Sequence, residues 1–263
     1  MRVAALNRHP VKSFTPEPLQ RVDLAAGAYF PGDRLFAVEN GPTGFDPAAP
    51  VHRPKVVYLT LARIEALARL ATRYDDETGT LVLSEGGRVV AEGDLATPEG
   101  RAEIEGFLIG FLGDALRGPP RVLVAPEGFR FTDAPHPYVS ILNRASLAAL
   151  EERLGAPVDP RRFRMNVELD GLAPFAELDL VGRALEAPSG LRLRIRERTV
   201  RCAATNVDPD TGQRDLAIPK TLLQAYGHSD CGIYAEVEAP GALAIGERLV
   251  LVEEGGGRER LPF

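Results

Sequence analysis

The chain has 263 residues, 44% of them apolar and 26% charged, the balance of a folded protein with a sizeable core, and its length suits two domains of about 100 to 150 residues each. A net charge of −6 and a pI near 5.4 exclude a broad basic face, so no nucleic-acid partner is expected and any bound anion must meet a local pocket of positive charge. No run approaches the roughly 20 apolar residues of a membrane helix, and the start lacks a basic region followed by an apolar one, so a soluble cytoplasmic protein with no membrane association is expected.

In chain order, the mostly apolar residues 2–6 predict a strand that runs into the loop His9-Pro10-Val11-Lys12-Ser13, where the proline would end a helix. Residues 35–38 and 56–59, each preceded by turn residues, predict further strands. Leu61, Ile64, Leu67, Leu70 and Tyr74 recur at three- and four-residue spacing and predict an amphipathic helix. A hairpin over 80–90 follows, with Gly87 near its middle, and then a helix over 101–116 stopped by Gly118-Pro119-Pro120, the best linker in the chain. Strands restart at 122–124 and 138–142, and a helix over 147–154 is ended by Gly155. Leu191, Leu193 and Ile195 alternate with arginines, the period of a strand with one buried face. Many short strands with few helices point to a mainly β protein with some α, an α+β class of two β-barrel-like domains. The domains are expected at 1–119 and 120–253, with the glycine-rich residues 254–263 as a mobile tail.

Chemistry concentrates in Arg201-Cys202-Ala203-Ala204-Thr205-Asn206-Val207-Asp208-Pro209-Asp210-Thr211-Gly212. Asp208, Pro209 and Gly212 predict a type I turn, which places Cys202 just before a tight loop. A lone cysteine is ordinarily a small buried hydrophobe. Here Arg201 and the polar run argue against apolar burial, and a soft metal would be held by the thiolate of such a residue. The second cysteine, Cys231, is too distant for a zinc motif or a disulfide framework. His228, Asp230 and Cys231 are too few for a closed zinc site, and Cys231 before Gly232, Ile233 and Tyr234 is expected to start a buried strand.

This segment resembles the signature of the MOSC family, the molybdenum cofactor sulfurase C-terminal domain, in its amidoxime-reducing branch. Lys12-Ser13 within His9 to Ser13 is similar to the Tyr-Pro-Val-Lys-Ser that opens the family's N-terminal β-barrel domain; Gly32-Asp33-Arg34 and Arg162-Phe163-Arg164-Met165-Asn166 match two further segments. The resemblance implies a MOSC N-terminal β-barrel domain followed by a MOSC β-barrel domain, with a molybdenum pyranopterin between them. It implies Cys202 as the metal ligand and cofactor contacts from Lys12, Ser13, Arg34, Arg164, Asn166, Arg201 and Thr205. Asn143 falls near another such contact, though capping of the 147–154 helix by Asn143 or Ser146 accounts for it equally well. Asn206 and Asp208 are candidates for proton delivery or substrate contact, with a turn role the rival for Asp208. If 162–167 is a strand, Arg164 and Asn166 share one face, and a guanidinium fork suits a phosphate. In place of the relatives' Thr-Ala-Arg-type segment stands His52-Arg53-Pro54-Lys55, which leaves open whether Arg53 or Lys55 faces the cleft.

The implied activity is two-electron reduction of N-hydroxylated or N-oxide small molecules. With two cysteines there is no four-cysteine iron–sulfur cluster, so electrons are expected from a separate donor protein. The rival readings are a cofactor or sulfur carrier without turnover, and a two-barrel protein with no cofactor.

Overall fold

The computed structural model describes residues 1–252, so the expected tail at 254–263 lies outside the described residues. The strands of the first half are β1 (Arg2–Arg8), β2 (Glu17–Leu19), β3 (Arg21–Leu24), β4 (Phe36–Asn40), β5 (Leu70–Tyr74), β6 (Thr80–Glu85) and β7 (Arg88–Asp94). Next come β8 (Pro120–Val124), β9 (Tyr138–Asn143), β10 (Val167–Asp170), β11 (Ala184–Glu186), β12 (Arg192–Val200), β13 (Asp230–Ala239), β14 (Gly241–Ala244) and β15 (Val250–Val252). Three α-helices stand among them: α1 (Pro98–Leu112), α2 (Arg144–Leu154) and α3 (Ile218–Tyr226). The fold is therefore mostly strand with a few helices, as expected.

An eight-stranded sheet runs β15-β11-β12-β13-β9-β10-β1-β2. The strand that opens the chain thus joins the sheet built by the second half, through antiparallel pairing with β10. Backbone hydrogen bonds from Val3 N to Glu247 O (2.9 Å) and from Gly246 N to Val3 O (2.8 Å) bring the segment leading to β15 against β1. The sheet curls back on itself, although its ladder order remains open. Val139, Ile141, Val167, Leu193, Ile195 and Ile233 fill its interior. This is the payoff of the period-two pattern read at 191–195: Leu193 and Ile195 are fully buried and Arg196 is exposed.

A second apolar core joins the β5-β6-β7 sheet to α1. Thr97 caps α1 by accepting from Gly100 N (3.1 Å), and Pro98 occupies its first turn, where a missing N–H costs nothing. Gly100, Ile104, Leu108 and Leu112, four apart, form its buried face. The helix approaches β7 closely only because both partners lack a side chain: a Cβ on Gly93 would lie 2.1 Å from Gly100 O. The hairpin at 80–90 and both helices were expected, and Gly155 does end α2 in the left-handed region at φ 66.

Three local expectations are corrected. The stripe at 61–74 is not one helix; a 3-10 turn at Glu65–Arg69 leads directly into β5. Spacing of three aligns residues on a 3-10 turn as well as it does on an α-helix. Ile64, Leu67 and Leu70 are buried in one core without forming an α-helix themselves, and Thr72 and Tyr74 pair with β6. The strand expected at 56–59 begins as a 3-10 turn, Lys55–Val57. The strand expected at 162–167 is replaced by a 3-10 turn, Pro160–Phe163, capped by Asp159, whose carboxylate accepts from Arg161 N at 2.8 Å.

Candidate cofactor cleft

One cleft, enclosing about 960 Å3 open to solvent, lies where the loop after β1, the turn before β4, the Lys55–Val57 turn and the ends of β9 and β12 converge. Six basic residues and two carboxylates line it, in a chain whose net charge is −6. The local positive pocket that the composition demanded is here.

Lys12 and Ser13 reach the cleft from the loop that Pro10 opens. Lys12 is buried, and its Nζ donates to Phe131 O at 2.9 Å and to Asp133 Oδ1 at 2.5 Å. Burial pulls its ammonium below the usual range despite the Asp133 carboxylate beside it. Arg34 ion-pairs with Asp33, and its Nη2 donates to Arg164 O at 2.9 Å. Asp33 in turn accepts from His9 N at 2.7 Å. Burial alone would raise the Asp33 carboxyl, but the Arg34 charge and the His9 hydrogen bond outweigh it and hold the group far below the carboxylate range. His9 itself is fully buried, and burial followed by the nearby Arg34 pulls its imidazole down to about 3.

Arg164 has the least compensated charge. Its Nη1 donates to Phe14 O, while Nη2 is shielded from solvent and has no hydrogen-bond partner among the described residues. Burial, then the neighbouring Arg34, pulls its guanidinium down to about 9. The carboxylates of Asp33 and Asp133 only partly offset that penalty. Backbone strain marks the same spot. The described non-glycine residues at positive φ are Ser13 (71°), Arg34 (47°), Arg164 (57°) and Phe175 (60°), and the first three all line the cleft. Such conformations cost on the order of 1 to 3 kcal/mol each and gather at functional sites.

At the other end, β12 delivers Arg201 and Cys202. Arg201 is buried behind the cysteine, with Nε donating to Cys231 O (2.8 Å), Nη1 to Phe163 O (3.0 Å) and Nη2 to Met165 Sδ (3.2 Å). Its donors are spent on the protein, so it braces the site. Cys202 is partly exposed and opens the 3-10 turn Ala203–Asn206, where Thr205 N and Oγ1 both donate to its carbonyl, at 3.0 and 2.9 Å. Thr205 thus spends its hydroxyl on holding the turn. Lys55 faces the cleft and Arg53 does not line it. Burial would lower the Lys55 ammonium, but the Cys202 sulfur, as a charge and as a hydrogen-bond partner, together with Asp133 raises it overall.

Asn166 lines the cleft with both amide atoms engaged: Oδ1 accepts from Ser140 Oγ at 2.7 Å and Nδ2 donates to Asn7 O at 3.2 Å. It and Arg164 meet at the cleft through a left-handed residue and a turn, not through strand alternation. Three expected site residues are not among those lining it. Asn143 caps α2, accepting from Ala145 N at 3.1 Å, and its amide donates to the buried Glu177 at 2.9 Å. Asn206 Oδ1 accepts from Ile218 N at 2.9 Å, at the start of α3. Asp208 builds its own turn, accepting from Thr211 N at 2.7 Å and pairing with Arg162 at 3.1 Å. Cys231 starts β13, fully buried as expected, and burial pushes its thiol up to about 12.

Asp133, His136, Tyr138 and Tyr234 also line the cleft and were not singled out in the sequence. The turn-forming run Asp133-Ala134-Pro135-His136 was the available signal for the first two.

The residues present fit an anionic, metal-bearing cofactor. Arg164 Nη2 is an unused buried donor among cations, suited to a phosphate. Among the described residues no three His, Cys, Asp or Glu side chains gather to hold a metal, so a metal beside Cys202 would need its remaining ligands from the cofactor.

Comparison with known proteins accords with this geometry. The family model for the MOSC N-terminal beta barrel domain matches residues 1–109, and that for the MOSC domain matches residues 129–250. The chain is 32% identical over 124 residues to mitochondrial amidoxime-reducing component 1 of Mus musculus, covering 43% of this chain and 36% of that protein. It is 33% identical over 121 residues to mitochondrial amidoxime reducing component 2 of Bos taurus, covering 41% and 35%. The chain thus spans about a third of the length of these curated relatives. Among solved structures, the YUAD protein of Bacillus subtilis aligns over 95% of this chain and 94% of its own at 15% identity and a TM-score of 0.45. The chain belongs to the MOSC-domain family, with a MOSC N-terminal beta barrel domain followed by a MOSC domain.

Proposed function

We propose that the chain holds a molybdenum pyranopterin in this cleft and reduces N-hydroxylated or N-oxide small molecules by two electrons, with Cys202 as the protein's ligand to the metal. One observation carries the reading: a partly exposed thiol and the buried Arg164 guanidinium with an unused donor line the same cleft. The relatives, amidoxime-reducing components, point to the substrate class. When bound, the cofactor supplies the two-electron redox chemistry.

The chain's own residues do the rest. Lys12, Ser13, Arg34 and Arg164 hold the phosphate end, with the free Arg164 donor completing a charge-assisted hydrogen bond. Cys202 offers a soft sulfur, and the Lys55 ammonium beside it offsets negative charge on that atom. Arg201 and Thr205 fix the turn that aims it. Asn206 and Asp208 act as supports of that turn. Electrons come from a separate donor protein.

The test is turnover of a simple amidoxime by purified protein with a chemical reductant, scored per bound molybdenum. Cys202→Ser, which swaps the soft sulfur for a hard hydroxyl, is expected to abolish turnover while pterin content falls much less. Cys231→Ser is expected to keep turnover and lose some stability, because it puts a hydroxyl into a core. Activity surviving in Cys202→Ser and vanishing in Cys231→Ser would overturn the ligand assignment.

A further inference from the structure

Two carboxylates line the cleft, and they are held in opposite ways. The Asp33 side chain is 4% exposed and locked on three sides: it accepts from His9 N at 2.7 Å, lies 3.3 Å from His9 Nδ1 and ion-pairs with Arg34. The Asp133 side chain is 53% exposed, and one contact holds it, the 2.5 Å ion pair with Lys12 Nζ. Asp133 lies in the loop between β8 and β9, and its own N–H and C=O have no hydrogen-bond partner among the described residues. Moving this carboxylate therefore breaks one ion pair and no secondary structure.

Asp133 also stands where positive charge is densest. Partial burial would raise its carboxyl, but Lys12 first, and then Lys55 and Arg34, hold it far below the carboxylate range. Its charge reaches Arg164 as well, where it offsets part of the effect of burial. One movable carboxylate is thus shared among Lys12, Arg34, Lys55 and Arg164, and it leaves the Arg164 Nη2 donor unpartnered. Lys12 does not depend on Asp133 for its place, because Nζ also donates to Phe131 O at 2.9 Å.

We propose that Asp133 is the charge-selectivity residue of the cleft: an exchangeable counter-ion on Lys12 that a dianionic phosphate monoester displaces and that a monoanion does not. This rests on the reading that Lys12, Arg34 and Arg164 form the phosphate end of a cofactor site. Exchanging one single charge for another on Lys12 gains little, since the attraction lost and the attraction formed are of similar size. A phosphate of charge near −2 is drawn more strongly, and its further oxygens can take the Arg164 donor that Asp133 leaves unused. Small monoanions are kept off Lys12, and the phosphate of the cofactor is admitted.

Calorimetric titration of the full chain, made in a host without the pterin pathway, tests this with methyl phosphate and nitrate at a pH where the phosphate is a dianion. The wild-type chain is expected to bind methyl phosphate and to ignore nitrate. Asp133→Asn is expected to bind methyl phosphate about tenfold more tightly, since a charge-assisted pair no longer has to be broken, and to bind nitrate as well. In a Lys12→Met background the same Asp133→Asn change is expected to alter methyl phosphate affinity little, because there is no pair left to break. Glu236→Gln, which removes a carboxylate from the Arg196 pair outside the cleft, is the control for net charge and should match wild type. If wild type binds methyl phosphate, Lys12→Met weakens it and Asp133→Asn changes nothing, the phosphate site stands and the proposal alone is overturned. A gain from Asp133→Asn that persists undiminished in Lys12→Met also overturns it, because a general field and not the ion pair would then be at work. If neither wild type nor Asp133→Asn binds methyl phosphate, the phosphate reading fails and the proposal falls with it.

Discussion

Two neighbouring regions of the cleft wall treat their arginines in opposite ways. In the turn at Pro160–Phe163, Arg161 and Arg162 are enclosed by carboxylates from Asp159, Asp208, Asp210 and Asp215. Two residues on from Arg162, Arg164 sits at φ 57 beside Arg34, with one guanidinium nitrogen unused. The first region spends its charges on holding the Cys202 turn in place. The second keeps positive charge and strained backbone in reserve, which lowers the stability of the empty protein and raises its affinity for an anion. Structural support and the proposed anion binding are thus separated within five residues of chain.

That contrast can be broken by paired substitutions. Arg164→Gly should leave the cofactor-free protein at least as stable, because glycine accepts φ 57 and the repulsion from Arg34 disappears. Yet it should lower cofactor affinity about tenfold or more, the value of a charge-assisted hydrogen bond of about 1.5 to 3 kcal/mol. Arg162→Ala should do the reverse for stability, lowering the melting temperature by roughly 4 to 8 °C if about 2 kcal/mol is lost. Arg192→Ala, in an ion-paired strand position away from the cleft, is the control for occupancy. Melting curves with and without bound pterin check all three, and equal pterin occupancy in Arg164→Gly and Arg192→Ala would remove Arg164 from the site.

A smaller effect sharpens the account of the buried partners behind Arg34. His9 is held neutral in the fold, at about 3 against an ordinary value of 6.5. Between those values the unfolded chain binds the proton and the folded chain does not, so His9 supports the fold above pH 6.5 and that support drains away as pH falls. At pH 5 the loss amounts to about 2 kcal/mol relative to pH 7. His9→Gln should therefore show a flatter melting temperature between pH 7 and 5 than the parent protein. An identical slope in both would mean that another group carries the acid sensitivity.

The large-scale organisation was legible because its signals are local or repeated. The helix expected over 101–116 is α1, although it ends at Leu112 with Gly113 and not at Gly118-Pro119-Pro120; Gly155 marked the end of α2, alternation marked β12, and glycine marked the hairpin of β6 and β7. The segments that failed, 56–59, 61–74 and 162–167, are all 3-10 turns or begin with one. At 61–74 a spacing of three mimics an α-helix, while at 56–59 and 162–167 short runs expected as strands fold into 3-10 turns. Within the site, Lys12, Ser13, Arg34, Arg164 and Cys202 were found through family motifs and do converge. Asn143, Asn206 and Asp208 were motif neighbours whose polar atoms are consumed by a helix cap, a helix start and a turn. No sequence pattern separates a ligand-facing asparagine from a capping one, since both sit at element ends with a free amide. Lys55 was left open against Arg53 because the motif departs from the relatives there, and only the backbone path places it against Cys202.

The central claim is that Cys202 and the cation cluster hold one molybdenum pyranopterin. The most direct measurement is metal and pterin analysis of the chain purified from a host with an intact pterin pathway. The account predicts molybdenum near one atom per chain, with a fluorescent pterin released on oxidative denaturation in the same ratio. Protein from such a host that carries neither would contradict it.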